Sequence, residues 1–241
     1  MRKIWRVMLA AALLSLVLAG CGNNQSNADA SGSRGEDRQQ NTQDSPFRPE
    51  LPEVSQTPPS ASAYTPGQRT EDGYRSDWIG LAYSAGSDMV LATDEEIASM
   101  MNITEGSTDL GVAGQHASDA DSITTLYEMV AVNVTTQANL FICVEKLAFS
   151  SITEEQYAAA VQSQIDSLYA GYSITYREST ERQLCGLTFL EMGYFLEDYD
   201  GISLYQSYLV RKQGDRMIGI VLSCTEESEL ETLLSGFSAV S

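Results

Sequence analysis

The stretch that decides the fold is LCGLTFLEMGYFLEDYDGISLYQSYLVRKQGDRMIGIVLSC, residues 184–224. Its apolar and aromatic residues form three runs of strand length. Asp200-Gly201 and Gln213-Gly214-Asp215 separate these runs and are typical of hairpin turns. A fourth strand-like run, ITYRE, precedes them. Because strands joined by short turns pair antiparallel, this stretch predicts an antiparallel sheet.

The remaining elements complete a mixed pattern of strands and helices. Further strand candidates lie at 78–83, 89–91, 126–134 and 140–147. Capping-box spacing at Thr93 and Thr153 predicts the starts of two helices, and a final helix is expected from about Glu226 to Phe237. Helices therefore come at intervals rather than after every strand. This order predicts an α+β fold, with an antiparallel sheet of about six to eight strands and helices packed on its faces.

The chain begins with a secretory signal. Arg2 and Lys3 precede an apolar run, Val7–Ala19, that is shorter than the roughly 20 residues of a membrane-spanning helix. Leu18-Ala19-Gly20-Cys21 has the lipobox pattern, in which the cysteine is acylated and the chain is cut before it. We therefore expect residues 1–20 to be a lipoprotein signal peptide. Cys21 would carry palmitate or a similar acyl chain and hold the protein on the extracytoplasmic face of the cell membrane.

Residues 21–73 differ in composition from the rest of the chain. They are rich in Asn, Gln, Ser, Asp and Gly, and all six prolines of the chain lie among them. Such a segment buries too little apolar surface to offset the entropy of ordering it, so a lipidated, disordered tether is expected. A proline-rich recognition peptide is the alternative. Residues 74–241 have the size of a single α+β domain.

Charge excludes one class of partner. The formal net charge is −19, and removal of residues 1–20 takes away three basic residues and no acid, which brings the net charge to −22. An acidic surface of this kind repels nucleic acid and anionic lipid headgroups. We therefore expect no nucleic-acid binding, and a surface that favours a basic partner or wall-bound cations.

Several segments resemble a known family. YEMVAVNVTTQANLFICVEKL, ITEEQYAAAV, LCGLTF and LYQSYLVRK, in this order behind a lipobox and tether, are similar to PsbP-like lipoproteins of Gram-positive gut anaerobes, which have a PsbP/Mog1-like fold. The residues that carry the resemblance are Tyr127, Met129, Asn133, Thr136, Asn139, Glu145, Tyr157, Gly186, Tyr205 and Gln206. The resemblance covers most of residues 78–240. It implies an antiparallel sheet with helices on its faces and a protein that binds a partner, and it implies no catalytic residue.

No motif indicates a catalytic or cofactor site. His116 is the only histidine and lies in the Gly- and Ser-rich loop GVAGQHASDADS, which is a poor place to hold a catalytic base rigidly. One histidine cannot supply the nitrogen ligands of a usual zinc site, and phosphate-binding glycine motifs are missing from the sequence. We therefore expect no catalytic residue, no metal and no cofactor.

Besides Cys21, the cysteines are Cys143, Cys185 and Cys224, each within an apolar strand candidate. Their odd number leaves at least one free thiol. One disulfide is possible in an exported protein, but all three are expected to be reduced and buried, because buried free cysteines behave as small hydrophobic residues.

Acidic residues leave a second function open. Glu191, Glu197, Asp198 and Asp200 cluster near the predicted hairpin at 200–201. We interpret them as a solvated turn, since the residues after Asp200 lack the later ligands of a calcium loop. Two facing carboxylates in a deep cleft would instead indicate a hydrolase of cell-wall polymer or glycan. A solute-binding lipoprotein with two lobes would need a longer chain.

Aromatic residues crowd around the same hairpin. Tyrosine is common at contact surfaces, where one end of the side chain is apolar and the other is wet. Tyr199 lies in the turn itself, where no core is expected, and Tyr194, Asp198 and Asp200 flank it. The sequence therefore predicts a noncatalytic surface lipoprotein whose domain binds an envelope protein, with Tyr199, Asp198, Asp200 and Tyr194 as candidate contacts.

Overall fold

The computed structural model describes residues 63–70, 72–100, 125–199 and 201–240, without the side chains of residues 100, 198 and 199. The strands are β1 Gln68–Thr70, β2 Gly73–Ser76, β3 Leu81–Ser84, β4 Met89–Leu91, β5 Thr125–Asn133, β6 Asn139–Lys146, β7 Ser173–Leu184, β8 Leu187–Tyr199, β9 Ile202–Gln213, β10 Arg216–Cys224 and β11 Phe237–Ala239. The helices are α1 Asp94–Met100, α2 Glu154–Leu168 and α3 Ser228–Leu234. The α+β class predicted from the sequence is confirmed.

The described strands form two antiparallel sheets. The main sheet has seven strands in the order β4-β5-β6-β10-β9-β8-β7, and the small sheet has four in the order β1-β2-β3-β11. Every residue of β10, in the middle of the main sheet, is buried. A strand buried along its whole length requires cover on both faces of the sheet.

Two hydrophobic cores supply that cover. On one face, which we call the helix face, Ile97 of α1 and Tyr157, Val161 and Ile165 of α2 pack against the main sheet. On the other face, which we call the small-sheet face, side chains of β2, β3 and α3 pack against main-sheet residues such as Ile220. The alternation of side chains along each strand divides the apolar residues between these two cores.

Both predicted capping boxes are present. Thr153 Oγ1 accepts from the backbone N–H of Gln156 at 3.3 Å, and Gln156 Oε1 accepts from the N–H of Thr153 at 3.1 Å. At α1, Glu96 Oε2 accepts from the N–H of Thr93 at 2.9 Å. These bonds satisfy backbone donors that the first turn of a helix leaves without a partner.

The structure departs from the sequence predictions in three places. LCGLTF is not one strand, because Cys185 and Gly186, with φ of 52° and 84°, form a two-residue hairpin turn between β7 and β8. The last helix is shorter than predicted, since α3 ends at Leu234 and is followed by β11. The fold also begins before the predicted boundary at Tyr74, because β1 pairs with β2.

Gly219 and Cys143 provide a test of packing on the helix face. They are partners across β10 and β6, and a Cβ at Gly219 would lie 2.8 Å from Cys143 Sγ, with the next nearest atom at 4.0 Å. Gly219→Ala should lower the free energy of unfolding by about 1–3 kcal/mol because the core there is overpacked. Cys143→Ala should cost about 1 kcal/mol alone and relieve most of that overpacking in the double variant. Urea denaturation of the four proteins measures the coupling, and strictly additive losses would show that Cys143 is not the source of the overpacking.

Candidate functional site

A buried carboxyl group fastens the first described residues to the main sheet. Glu128 of β5 is 0% exposed and lies where the pairing of β5 with β6 has a bulge. Tyr64 donates its hydroxyl to Oε1 at 2.5 Å, and Gly67 donates its backbone N–H to Oε2 at 3.0 Å. The hydroxyl of Tyr74 donates to the same Oε2. We call these four residues the clasp.

Two arginines surround the clasp. Arg216, the first residue of β10, is 1% exposed, and its guanidinium carbon lies 4.0 Å from the centre of the Tyr64 ring, a cation–π contact. Arg69 of β1 pairs with Asp94 at the start of α1. The clasp therefore joins residues 64–74 to β5 and β10, and Arg69 adds a contact to α1.

Burial controls the ionisation of the clasp. Removal from water raises the pKa of Glu128, while the hydrogen bonds from Tyr64, Tyr74 and Gly67 and the charge of Arg216 lower the pKa without offsetting burial. Burial and the nearby Glu128 carboxyl raise the pKa of both tyrosines, so they remain hydroxyl donors. The two tyrosines are therefore protonated donors to Glu128 at neutral pH.

The clasp lies at one end of the main sheet, which we call the clasp end. Arg216 comes directly after the turn that joins β9 to β10. The clasp end is therefore the end of the sheet at which β9 finishes. The other end of β9 is the β8–β9 hairpin, where Tyr199 pairs with Ile202. The twelve residues of β9 separate the β9–β10 turn from the β8–β9 hairpin by about 35–40 Å, at about 3.3 Å per residue.

Exposed apolar side chains gather near this hairpin. Leu168 ends α2, Tyr172 precedes β7 and Ile202 begins β9, and their exposed fractions are 40%, 41% and 36%. Beside these exposed residues, Ile174 pairs with Leu196 and Leu196 pairs with Leu204 across neighbouring strands. Leu196 and Leu204 are buried in the core on the helix face. Leu168, Tyr172 and Ile202 thus lie at the ends of elements that meet at this end of the sheet, and we call them the distal patch.

The predicted contacts at this hairpin fall into two groups. Tyr194 is 1% exposed, and its hydroxyl donates to Gln206, so it packs in the core and is not available to a partner, contrary to the prediction. It faces inward because it shares the helix face with Tyr208, whose ring stacks on it at 6.1 Å. Asp200 and the side chains of Asp198 and Tyr199 lie outside the described residues, as do Cys21 and His116.

A charged groove of about 530 Å³ lies between β7, β8 and α3. Arg182 donates to Glu191 at 3.2 Å and to Glu231 at 2.6 Å, and the charge of Arg182 lowers the pKa of Glu231 through that second bond. The other oxygen of Glu191 accepts from Ser207 Oγ at 2.6 Å. Glu231, held in this way, lacks the raised pKa that a general acid needs. The ion pair between Arg182 and Glu231 in this groove therefore attaches α3 to the main sheet.

Acids with raised pKa lie elsewhere. Burial raises the pKa of Glu145, which is 5% exposed and accepts from the hydroxyl of Tyr157 at 2.8 Å. Burial also raises the pKa of Glu128, which has no exposed surface. Among the described residues, the two glutamates whose pKa is raised are thus packed in the core, where a polymer substrate has no access.

The cysteines are free thiols and are not activated. Cys224 is buried, while Cys143 and Cys185 are partly exposed, so the prediction that all three are buried holds for Cys224 alone. Burial raises the pKa of Cys143 and of Cys224 to about 12. A thiol with so high a pKa is protonated at neutral pH and is a poor nucleophile.

Metal-binding clusters and membrane spans are both missing from the described residues. No group of three or more His, Cys, Asp or Glu side chains in the described part of the chain is placed to hold a metal ion. Within the same residues, no helix has both the length and the apolar character needed to cross a membrane.

Sequence reasoning missed the clasp. Glu128 is a single acid in the strand YEMV, a pattern that predicts an exposed side chain, and its donors lie 54 to 64 residues away. The one available signal was the pair Tyr64 and Tyr74 in an otherwise polar segment.

Comparison with known proteins gives matches of fold only. No protein-family model matches the chain, and no curated protein matches its sequence. Among solved structures, the chain is similar to cyanobacterial PsbP (CyanoP) from Synechocystis sp. PCC 6803, with 12% identity and a TM-score of 0.41 over 74% of this chain and 95% of that chain. It is also similar to LpqN, involved in cell envelope biogenesis of Mycobacterium tuberculosis, with 8% identity and a TM-score of 0.36 over 67% of this chain and 83% of that chain.

At TM-scores of this size, the fold class rests on the strand order and register described above and not on the matches. The chain is therefore an α+β protein with two antiparallel sheets.

Glu128→Gln tests the clasp through its pH dependence. Because the pKa of Glu128 is raised above its ordinary 4.5, the folded protein binds more protons than the unfolded chain between 4.5 and the raised value. The free energy of unfolding of the wild type therefore falls as pH rises through that window, and the variant lacks this fall. Glutamine keeps one acceptor oxygen but loses the second, which should cost about 1–3 kcal/mol near pH 4.

The cost of Glu128→Gln should then shrink as pH rises, and urea denaturation of both proteins at pH 4, 5.5, 7 and 8 measures it. A cost that grows with pH would show instead that Glu128 is stabilised mainly as a carboxylate beside Arg216, and that burial does not dominate its ionisation.

Proposed function

We propose that this protein is a noncatalytic accessory lipoprotein of the cell envelope. Cys21 would anchor it to the extracytoplasmic face of the membrane, and the domain would bind an envelope protein through the distal patch. The lipobox at residues 18–21 supports the anchor. The second part of the proposal rests on the arrangement of the two ends of the main sheet.

The observation that carries the proposal is the position of the clasp relative to the distal patch. The chain enters the domain at Tyr64, at the clasp end, and Leu168, Tyr172 and Ile202 lie at the opposite end. A link from Cys21 to Tyr64 therefore attaches the domain by the end remote from the patch. This geometry favours a surface directed away from the membrane.

The chemistry of the patch indicates the kind of partner. Two aliphatic side chains and a tyrosine form its apolar part, and Glu197, which pairs with Ser173, is an exposed acid beside it. The acidic residues Asp198 and Asp200 flank the same hairpin in the sequence. An apolar centre with an acidic border fits a basic protein segment that carries aliphatic or aromatic anchors.

The alternative, a carboxylate-based hydrolase of wall polymer or glycan, receives no comparable support. Its acid would have to be a partly desolvated carboxyl in a cleft. In the charged groove, Arg182 binds both Glu191 and Glu231, while Glu128 and Glu145 are enclosed in the two cores. We therefore propose a binding function without catalysis.

Fractionation tests the anchor separately from the binding site. Cys21→Ser removes the acylated thiol, and the protein should move from the membrane fraction to the medium or the soluble fraction, since acyl chains supply about 0.8 kcal/mol per buried methylene. Immunoblotting of washed membranes from cells that express either form measures this. Retention of the Cys21→Ser protein on washed membranes would argue against a lipid anchor.

Substitutions in the distal patch test the binding site. Tyr172→Ser with Ile202→Thr should abolish retention of the partner, because it removes the apolar centre, yet change the free energy of unfolding by no more than about 0.5 kcal/mol. Phe149→Ser is the matched control: Phe149 is 70% exposed, in the loop after β6, beside the β9–β10 turn at the clasp end. Its loss should leave retention unchanged.

The measurement uses residues 22–241 immobilised and exposed to detergent-solubilised envelope at low and moderate salt, with mass spectrometry of what is retained. One protein held at both salts by the wild type and by Phe149→Ser, but not by the patch variant, would support the proposal. Equal retention by all three proteins, or no retention, would count against it.

A further inference from the structure

One side of β7 is not paired with any described strand. β7 is the last strand of the main sheet, has twelve residues and, among the described strands, pairs with β8 alone. The strand at the opposite edge, β4, has three residues. The N–H and C=O groups along an open edge can pair with a strand of another chain, and proteins protect long edges with charges, bulges or a covering element. β7 is therefore the edge at which a further strand has room to pair.

The protection of β7 is confined to its second half. Its pairing with β8 has a bulge between Arg177 and Thr180. The charged residues of the strand lie at the bulge or beyond it, and they are Arg177, Glu178, Glu181 and Arg182. Residues 173–176 carry no charge and pair with β8 without a bulge. The unprotected half of the edge is thus the half next to the distal patch, whose Tyr172 directly precedes β7.

In this half, the backbone groups of Ile174 and Tyr176 face away from β8. Residues that flank a two-residue turn exchange hydrogen bonds, and the bonding side then alternates along each strand. Leu187 directly follows the turn between β7 and β8, so the odd-numbered residues of β8 bond to β7. Thr175 pairs with Phe195, which is one of them. The neighbours of Thr175 therefore direct two N–H and two C=O groups to the open side.

On the helix face, an added strand would meet apolar side chains. Ile174 and Tyr176 are partly buried and pack against the core of that face. The Tyr176 hydroxyl donates to Asp166 of α2 at 2.8 Å, and α2 ends at Leu168, which is 40% exposed. Apolar side chains of an added strand would form cross-strand pairs with Ile174 and Tyr176, which is the arrangement that stabilises a sheet.

On the other face, the same stretch is small, polar and acidic. Ser173 and Thr175 are exposed, and Ser173 pairs with the exposed Glu197 of β8. A lysine or arginine on an added strand can lie over the small Ser173 and reach toward Glu197, about 10 Å away at two strand spacings. The net charge of −22, for the chain without residues 1–20, also favours a positively charged segment.

We propose that the partner's basic segment binds in extended form as an eighth strand of the main sheet, with its backbone paired to Ile174 and Tyr176. Its apolar side chains lie on the helix face and its basic side chains on the other face, so the two kinds alternate along the segment. This inference rests on the proposed function, in which the partner contacts the distal patch, and it specifies the mode of binding.

Hydrogen exchange in the protein alone tests whether the edge is open. In ¹⁵N-labelled protein, residues 22–241, the amides of Ile174 and Tyr176 should exchange at least about tenfold faster than those of Thr175 and Arg177, because only the latter two bond to β8. Amide NMR signals followed after transfer to D₂O measure this. Equal protection of all four amides would show that another part of the chain or a second copy already occupies the edge, and would overturn the proposal.

The probe for binding is a blocked peptide of about ten residues in which valine alternates with lysine. It should shift the amide signals of residues 172–177 and slow exchange at Ile174 and Tyr176, with a Kd of roughly 0.1–1 mM for so short a strand. A peptide of the same composition with its valines contiguous has the same charge and should bind more weakly. A peptide that alternates valine with glutamate should not bind.

Position 174 offers a matched pair of variants. Ile174→Pro removes the outward N–H and Ile174→Ala retains it, while both lose the packed side chain. Proline is tolerated on an edge strand where its missing N–H faces away from the sheet. Ile174→Pro should bind the alternating peptide about three- to tenfold more weakly than Ile174→Ala, because it lacks one backbone hydrogen bond. If the proline variant fails to fold, hydrogen exchange and the comparison of peptides still decide the question.

The inference and the proposed function can fail separately. Absence of peptide binding, equal binding of the alternating and contiguous peptides, or equal binding by Ile174→Pro and Ile174→Ala would overturn strand addition. Envelope protein held equally by these two variants, yet lost by the distal-patch variant, would also overturn it and leave the proposed function standing. Alternation-dependent peptide binding at residues 172–177, without retention of any envelope protein, would support strand addition and count against the proposed function.

Discussion

A carboxyl group that has no contact with water must find its donors within the protein, and at Glu128 the three donors of the clasp come from one short segment. Tyr64, Gly67 and Tyr74 together satisfy both oxygens. Removing this segment would leave Glu128 buried without these partners, so the first residues of the fold cannot separate from the main sheet at low cost. The clasp therefore determines where the chain enters the domain, and the orientation of every other surface follows from that point.

Buried polar groups of this kind lie on both faces of the main sheet. On the helix face, Gln206 is 0% exposed, accepts from Tyr208 at 3.0 Å and donates to Ser223 Oγ at 2.7 Å. Apolar side chains alone tolerate small shifts between packed layers, whereas a buried polar group is satisfied in one arrangement only. We infer that Glu128 holds the first described residues in register with the main sheet, and that Gln206 fixes the packing of β8, β9 and β10 within it.

Short sequence patterns were sufficient to predict the elements that depend only on neighbouring residues. The capping boxes at Thr93 and Thr153 and the hairpins at residues 200–201 and 213–215 depend on residues within a few positions of one another, and the structure has all of them. The turn at Cys185-Gly186 escaped prediction because apolar residues flank it on both sides and a cysteine seldom adopts a positive φ.

The candidate sites were beyond the reach of such signals. Glu128 and its donors are more than 50 residues apart, and the distal patch joins residues 168, 172 and 202. Only tertiary contacts bring these groups together, and a single sequence carries no record of such contacts. The prediction for Tyr194 was wrong because side chains along β8 point alternately to the two faces of the sheet. Tyr194 lies in the helix-face core, while Phe195 packs against Tyr205 on the other face.

The proposed binding function requires a contact surface at a defined position relative to the attachment, and β9 supplies a fixed distance between the clasp and the distal patch. Its first residue, Ile202, belongs to the distal patch, and its last, Gln213, precedes the turn to Arg216 beside the clasp. Hydrogen bonds to β8 and β10 on both sides hold β9 along this length. The distance from clasp to patch is therefore determined by a paired strand, which is stiffer than a loop.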